Sequence, residues 1–280
     1  MLKIHLGLPT LIMGILNVTP DSFSDGGLYL DSQKAVLRAK QMIDDGADII
    51  DVGGESTRPG SEFVSEDNEL RRVIPVIKEI RKRLGEKISL SIDTYKSGVA
   101  QDAVKAGANI VNSLGGFSFD KKLASVISEF GVPIIIYHIK GEPRSMQKGE
   151  IIYKDVIGDI KEFFEKQIKF GISRGIKREH FLIDPGIGFG KSVSQNLEIV
   201  KRLSEFKSLG LPISIGVSRK SHLGLILKNE LKLSSVPLPA ERLEASLAET
   251  AVAVLNGAKI VRTHDVLETK KFLTVLDRFK

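Results

Sequence analysis

Val132-Pro133-Ile134-Ile135-Ile136-Tyr137-His138 and His180-Phe181-Leu182-Ile183-Asp184 enclose a stretch in which Val156, Ile160, Phe163, Phe164 and Ile168 recur at helical spacing. The two outer runs are short, rich in Ile and continuously apolar, as strands buried on both faces of a parallel sheet are. The segment between them carries one apolar face and is long enough for a crossover helix. This is one strand–helix–strand unit, and the same unit recurs along the whole chain. Further strand-like runs lie at 11–17, 47–52, 88–93, 109–112, 212–217 and 259–262. Helical faces are set by Leu70, Val73, Ile74, Ile77 and Leu84, by Val193, Leu197, Val200 and Leu203, and by Val266, Leu273 and Leu276. Gly46-Ala47, Gly107-Ala108 and Gly257-Ala258 mark where helices end and strands begin, since glycine tolerates the left-handed conformation of a helix end.

Eight such strand–helix pairs fill residues 11 to 280 without a linker or a shift in composition. Eight units in about 250 residues predict a closed (β/α)8 TIM barrel, one α/β domain over residues 1–280. A doubly wound open sheet is the rival reading, and counting alone leaves it open. Residues 228–239 interrupt the last helical region and read as an exposed loop between two helical pieces.

Composition narrows the function classes. The chain has no cysteine, which excludes disulfides, zinc–thiolate sites, iron–sulfur clusters and thiol nucleophiles. Its 41 Lys and Arg and 35 Asp and Glu are interleaved, so the net charge of +6 forms no basic tract. With no tryptophan and 6% aromatics, base stacking is poorly provided for, and a nucleic-acid partner is not expected. No run approaches the ~18 apolar residues of a membrane helix. The first residues lack the zones of a signal peptide, so no membrane partner and a cytoplasmic location are expected. His138, His180, His222 and His264 stand 42 apart, but their neighbours share nothing, and none forms a helical metal pair.

A barrel gathers its chemistry at the C-terminal ends of its strands. Those ends carry Asn17, Asp51, Asp93, Asn112, His138, Asp184, Ser218-Arg219-Lys220-Ser221 and Arg262-Thr263-His264-Asp265. Any one of these could simply cap the next helix. All of them on one rim would be costly to desolvate without a ligand or mutual pairing. The loops at 18–30 and 53–66 are long and rich in Gly, Ser, Thr and Pro, which suits mobile lids. Asp184-Pro185-Gly186-Ile187-Gly188-Phe189-Gly190-Lys191-Ser192 fits neither a Walker A loop nor a dinucleotide fingerprint. Its glycines are expected to let the backbone approach a flat ligand beside Asp184.

Gly14-Ile15-Leu16-Asn17-Val18-Thr19-Pro20-Asp21-Ser22-Phe23-Ser24-Asp25-Gly26-Gly27 resembles the first signature of the dihydropteroate synthase family. Gly53-Gly54-Glu55-Ser56-Thr57-Arg58-Pro59-Gly60, with Asp51 before it, is similar to the second. The strand-end segments that follow fall in the family's order, and the resemblance extends to about residue 266. It implies a (β/α)8 barrel and a transferase of folate biosynthesis, a target of sulfonamides. The reaction implied condenses 6-hydroxymethyl-7,8-dihydropterin diphosphate with 4-aminobenzoate, giving 7,8-dihydropteroate and diphosphate with the help of Mg2+.

Position by position, the resemblance implies that Asp93, Asn112, Asp184 and Lys220 bind the pterin. Asn17 would touch Mg2+ and, with Arg262 and His264, the diphosphate, while Thr57, Arg58 and Ser221 would serve 4-aminobenzoate. Asp93, Lys220 and Arg262 would carry the catalysis, and a homodimer is implied as well. The residue types suit the chemistry. A carboxylate can accept the paired N–H donors of a pterin edge, and arginine offers a fork to phosphate oxygens. Tyr137-His138-Ile139-Lys140 departs from the family, which usually reads Met-His-Met and then Arg or Gln. The competing readings are a pterin-binding methyltransferase barrel and a non-catalytic pterin-binding protein. The loop at 56–60 and the segment 218–221 speak against the first, and the intact strand-end set speaks against the second.

Overall fold

The computed structural model of the chain describes residues 9–19, 28–57, 60–147, 149 and 151–279. Its strands are β1 (Leu11–Asn17), β2 (Ile49–Gly53), β3 (Ser89–Asp93), β4 (Ile110–Leu114), β5 (Ile134–Tyr137), β6 (Phe181–Asp184), β7 (Ile213–Ile215) and β8 (Ala258–Thr263). They pair in sequence order, all parallel, and β8 returns to β1, so the sheet closes into a barrel. Closure removes the open-sheet rival, and every expected strand is present.

The helices α1 (Leu28–Asp44), α2 (Glu66–Leu84), α3 (Ser97–Ala106), α4 (Leu123–Phe130), α5 (Val156–Ser173), α6 (Val193–Lys201), α7 (Ser221–Glu230), α8 (Leu243–Leu255) and α9 (Val266–Leu276) surround it. Local chemistry sets their starts. Ser65 caps α2 by accepting from the Asn68 amide, and Ser192 with Gln195 forms a reciprocal capping box on α6. Gly46, Gly107 and Gly257 all have positive φ, as the helix-to-strand junctions require. Three details differ from the sequence reading. The helix α1 begins at Leu28, inside the expected first loop. The buried face of α6 is Asn196, Ile199 and Val200, whereas Leu197 is exposed. Helix α7 runs on to Glu230, so the loop between the helical pieces begins later than Lys228.

Alternation within each strand positions the site. One set of residues faces the helices and joins the main core, including Ile50, Val52, Ile92, Val111, Ile134, Ile136, Ile183, Ile213 and Ile215. The other set faces the barrel axis. At its lower end Met13, Ile49, Ile110, Ile135, Leu182 and Ile260 form a separate apolar plug. Two residues further along, the same inward set becomes Asp51, Asn112, Tyr137, Asp184 and Arg262. The barrel is thus closed below by aliphatic side chains and charged above. Among the described residues, no helix is long and apolar enough to cross a membrane.

Candidate active site

The inward polar layer is one bonded network. Asp51 is fully buried, and its Oδ2 accepts from Arg262 Nε at 2.6 Å and from Asn112 Nδ2 at 3.1 Å. The other arm of Arg262 donates to Asp93 Oδ2 at 2.7 Å, and the Tyr137 hydroxyl donates to Asp93 Oδ1, also at 2.7 Å. Burial pushes the Asp93 carboxyl up to about 7, although the Arg262 guanidinium opposes the shift. Arg262 itself is held above its ordinary range by Asp51 and Asp93, against its own desolvation. Truncating Arg262 would leave two buried carboxylates without their cation.

On the opposite side of the mouth Asp184 ends β6. It accepts the Gly186 amide at 2.8 Å and the Ser214 hydroxyl, while burial still holds its carboxyl above the usual range. Lys220 precedes α7, and its ammonium lies 4.1 Å from the centre of the Phe189 ring. Burial and then the Arg262 charge lower Lys220 to about 8, with Asp184 opposing. Its orientation depends on Arg219, which adopts a left-handed φ of 58°. The strain is held in place from several directions. The Arg219 amide donates to Ser246 at 2.9 Å, its Nε donates to Asp265 at 3.0 Å, and its carbonyl accepts from Arg242. His264 Nδ1 lies 3.1 Å from Ser218 Oγ on the same rim. Ser221 begins α7.

The second loop has a fixed stem. Glu55 pairs with the buried Lys96, which also binds Glu69 of α2 at 2.5 Å, and Arg72 donates to the Gly54 carbonyl at 2.8 Å. Thr57 is half-buried at the end of this stem. Arg58 lies outside the described residues, as does most of the first loop. Asn17 ends β1, and a methyl group placed on Gly53 would touch both Asn17 Oδ1 (3.7 Å) and Asp93 Oδ2 (4.0 Å). These two oxygens therefore flank the same glycine.

The structure thus brings Asn17, Asp93, Asn112, Asp184, Lys220, Arg262 and His264 to one rim, with Thr57 and Ser221 at its margin. It also adds residues. Asp51, given no role of its own in the sequence reading, is the centre of the network. Strand five contributes Tyr137 and not His138. The His138 ring turns outward, 4.9 Å edge-on from Phe163 of α5, with Nδ1 2.9 Å from Lys191 Nζ. The glycines after β6 all have positive φ and also serve the packing of the loop itself. Lys191 is buried and donates to the Gly186 and Phe189 carbonyls, drawing the loop onto the end of β5. A Cβ at Gly186 or Gly190 would collide with the His138 or Lys140 carbonyl oxygen, so close packing of two backbone segments demands glycine there. Only Gly188 faces the Lys220 side chain.

Residues 13–264 match the family described as pterin binding enzyme. A dihydropteroate synthase of Bacillus subtilis is 45% identical over 268 residues, covering 96% of this chain and 88% of that protein. The chain belongs to the dihydropteroate synthase family. The crystal structure of the family's member from Clostridium difficile, determined in the presence of pteroic acid, is 46% identical and superimposes with a TM-score of 0.88, over 98% of this chain and 97% of that one. The Yersinia pestis dihydropteroate synthase, solved with a sulfonamide drug, superimposes with a TM-score of 0.89 at 37% identity, over 99% and 96% of the two chains. Asp51, Asp93, Asn112, Asp184 and Arg262 all lie within the part that matches the family.

Proposed function

We propose that the pterin of 6-hydroxymethyl-7,8-dihydropterin diphosphate lies between the Asp93–Asn112 side of the rim and Asp184, with Lys220 beside it. The observation that carries this reading is the opposed pair of buried carboxylates, Asp93 and Asp184, each held by donors from the protein. As a member of the dihydropteroate synthase family the chain is a transferase, condensing that substrate with 4-aminobenzoate. Asp184 accepts the paired N–H donors of the pterin edge. Arg262 and His264 take the diphosphate, and Thr57, Arg58 and Ser221 receive 4-aminobenzoate.

In the reaction the carbon–oxygen bond to diphosphate breaks, and its electron pair leaves with the diphosphate. The carbon left behind is electron-poor, and the Asp93 carboxylate stabilises it electrostatically. The aminobenzoate nitrogen then forms the new bond and gives up a proton to the released diphosphate or to solvent. That amine is neutral at pH 7 and needs positioning more than activation, which agrees with a reaction that forms no covalent enzyme intermediate. A magnesium ion fits this rim. Mg2+ keeps several waters and takes oxygen ligands chiefly from substrate phosphates. Asn17 offers one neutral amide oxygen, and no group of three His, Asp or Glu forms an all-protein cage among the described residues. When bound, the ion would draw charge from the leaving diphosphate.

A second copy of the chain belongs to this reading. The neighbouring helices α6, α7 and α8 expose Leu197, Leu225, Val252 and Leu255, an apolar face that a homodimer would cover. We assign the enzyme to the cytoplasm, because a diphosphate-bearing substrate does not cross a lipid bilayer unaided. Calorimetric titration with the pterin diphosphate tests the site. Asp184→Asn replaces one acceptor by a donor facing the pterin's own donors and should cost on the order of 2–4 kcal/mol of binding. Unchanged affinity would remove Asp184 from the pocket.

A further inference from the structure

Tyr137 is the last residue of β5 and faces the barrel axis, paired in register with Asp184 on one side and Leu114 on the other. It is 6% exposed. Its ring belongs to a small apolar group with Leu114, Ile139 and Met146, and it packs 5.4 Å from the Phe189 ring. The Phe189 ring in turn carries Lys220. The phenol is therefore immobilised between the two halves of the site. Burial, reinforced by the neighbouring Asp93 charge, pushes its pKa well above the ordinary tyrosine value, so it remains a hydrogen-bond donor at neutral pH.

The acceptor of that donor is Asp93 Oδ1, while Arg262 occupies Oδ2 from the far side of the barrel, both at 2.7 Å. An aspartate's terminal torsion is broad and does not fix its own carboxylate plane. Two donors, on separate oxygens and from separate strands, do fix it. We propose that Tyr137 is a positioning residue, its hydroxyl holding the plane of the Asp93 carboxylate against the carbon from which diphosphate departs. This rests on the placement of Asp93 beside the pterin given above. Tyr137 exchanges no proton. The electron pair leaves with diphosphate, the carboxylate stabilises the charge, and the phenol keeps that carboxylate oriented. A methionine in its place would fill space but has no proton to donate.

The test is a double-mutant cycle in steady-state turnover. Tyr137→Phe removes one oxygen and keeps the ring. It should lower kcat roughly tenfold while leaving the KM for 4-aminobenzoate within about twofold, because that substrate's residues are untouched. Tyr137→Met should lower kcat to the same degree, which separates the hydroxyl from mere filling of the pocket. In an Asp93→Asn background, Tyr137→Phe should cost less than about twofold more, since the group it positions is gone. Full kcat in Tyr137→Phe or Tyr137→Met, or losses that simply multiply in the double variant, would overturn the proposal while leaving Asp93 in place. A full kcat in Asp93→Asn alone would overturn the placement of Asp93, and the role of Tyr137 with it.

Discussion

Asp93 and Lys220 are displaced from their ordinary ionisation in opposite directions, and both would act in their charged forms. Burial raises the Asp93 carboxyl to about 7, so the carboxylate is lost as pH falls below that value. Burial lowers Lys220 to about 8, so its positive charge is lost as pH rises through that value. The kcat/KM for the pterin diphosphate should therefore be bell-shaped, with its maximum between the two. Lys220→Arg keeps a charge that does not titrate in this range and should remove the alkaline limb. An alkaline limb that persisted would assign it to another group. At this scale much of the site was legible, because Asn17, Asp93, Asn112, Asp184 and Arg262 end apolar runs and strand ends are where a barrel collects chemistry. The inward place of Tyr137 was not. Val132 to Ile136 is apolar at every position, so the run carries no sign of which alternate residues face inward. Asp51 was hidden for a related reason, since its value lies in bonds to Arg262 and Asn112, 211 and 61 residues away.

The loop after β6 shows how an element can be constrained by its neighbour. Gly186 has a φ of +70°, and a Cβ there would run into the His138 carbonyl oxygen, a backbone atom that cannot swing aside. Gly210 has a similar φ of +65°, but nothing lies within 4 Å of its added Cβ. Gly210→Ala should cost about 1 kcal/mol, the strain of the left-handed conformation alone. Gly186→Ala adds a rigid clash and should cost on the order of 2–5 kcal/mol, with loss of pterin binding as Asp184 shifts. Urea midpoints of the two variants check the contrast, and equal midpoints would contradict it. On α5 the apolar spacing marks the buried face, with Val156, Ile160, Phe164 and Ile168 all buried. On α2 only Val73 and Ile77 of the five residues named are buried. That face turns toward Val76 and Ile80 and leaves Leu70, Ile74 and Leu84 at its edge. On α6 the buried face includes the amide of Asn196, whose Oδ1 accepts from Gly188 and whose Nδ2 donates to the Ser192 carbonyl. A polar residue doing structural work inside the face displaced the apolar Leu197 from it, and hydrophobic spacing alone cannot show that.

Across the whole molecule, two aliphatic shells support one charged layer, at whose open edge the substrates would meet. Asn17 and the stem of the second loop lie side by side there, with Thr57 beyond. The pterin, diphosphate and Mg2+ would complete one wall of the aminobenzoate site, so 4-aminobenzoate should bind after them. Titrating 4-aminobenzoate into the protein alone, and again with a pterin and Mg2+-diphosphate present, should show affinity rising roughly tenfold or more. Equal affinities would rule out this order of assembly and leave the chemistry unaffected. The barrel itself was legible from its repeat, and closure needed the pairing of β1 with β8 that no local pattern records. The most direct test of the whole account is turnover by the purified chain. Incubated with 6-hydroxymethyl-7,8-dihydropterin diphosphate, 4-aminobenzoate and Mg2+, it should yield 7,8-dihydropteroate by mass, with an equal amount of diphosphate and none when 4-aminobenzoate is omitted. Tight binding of the pterin diphosphate with no dihydropteroate formed would make the rim a binding site without catalysis and contradict the account.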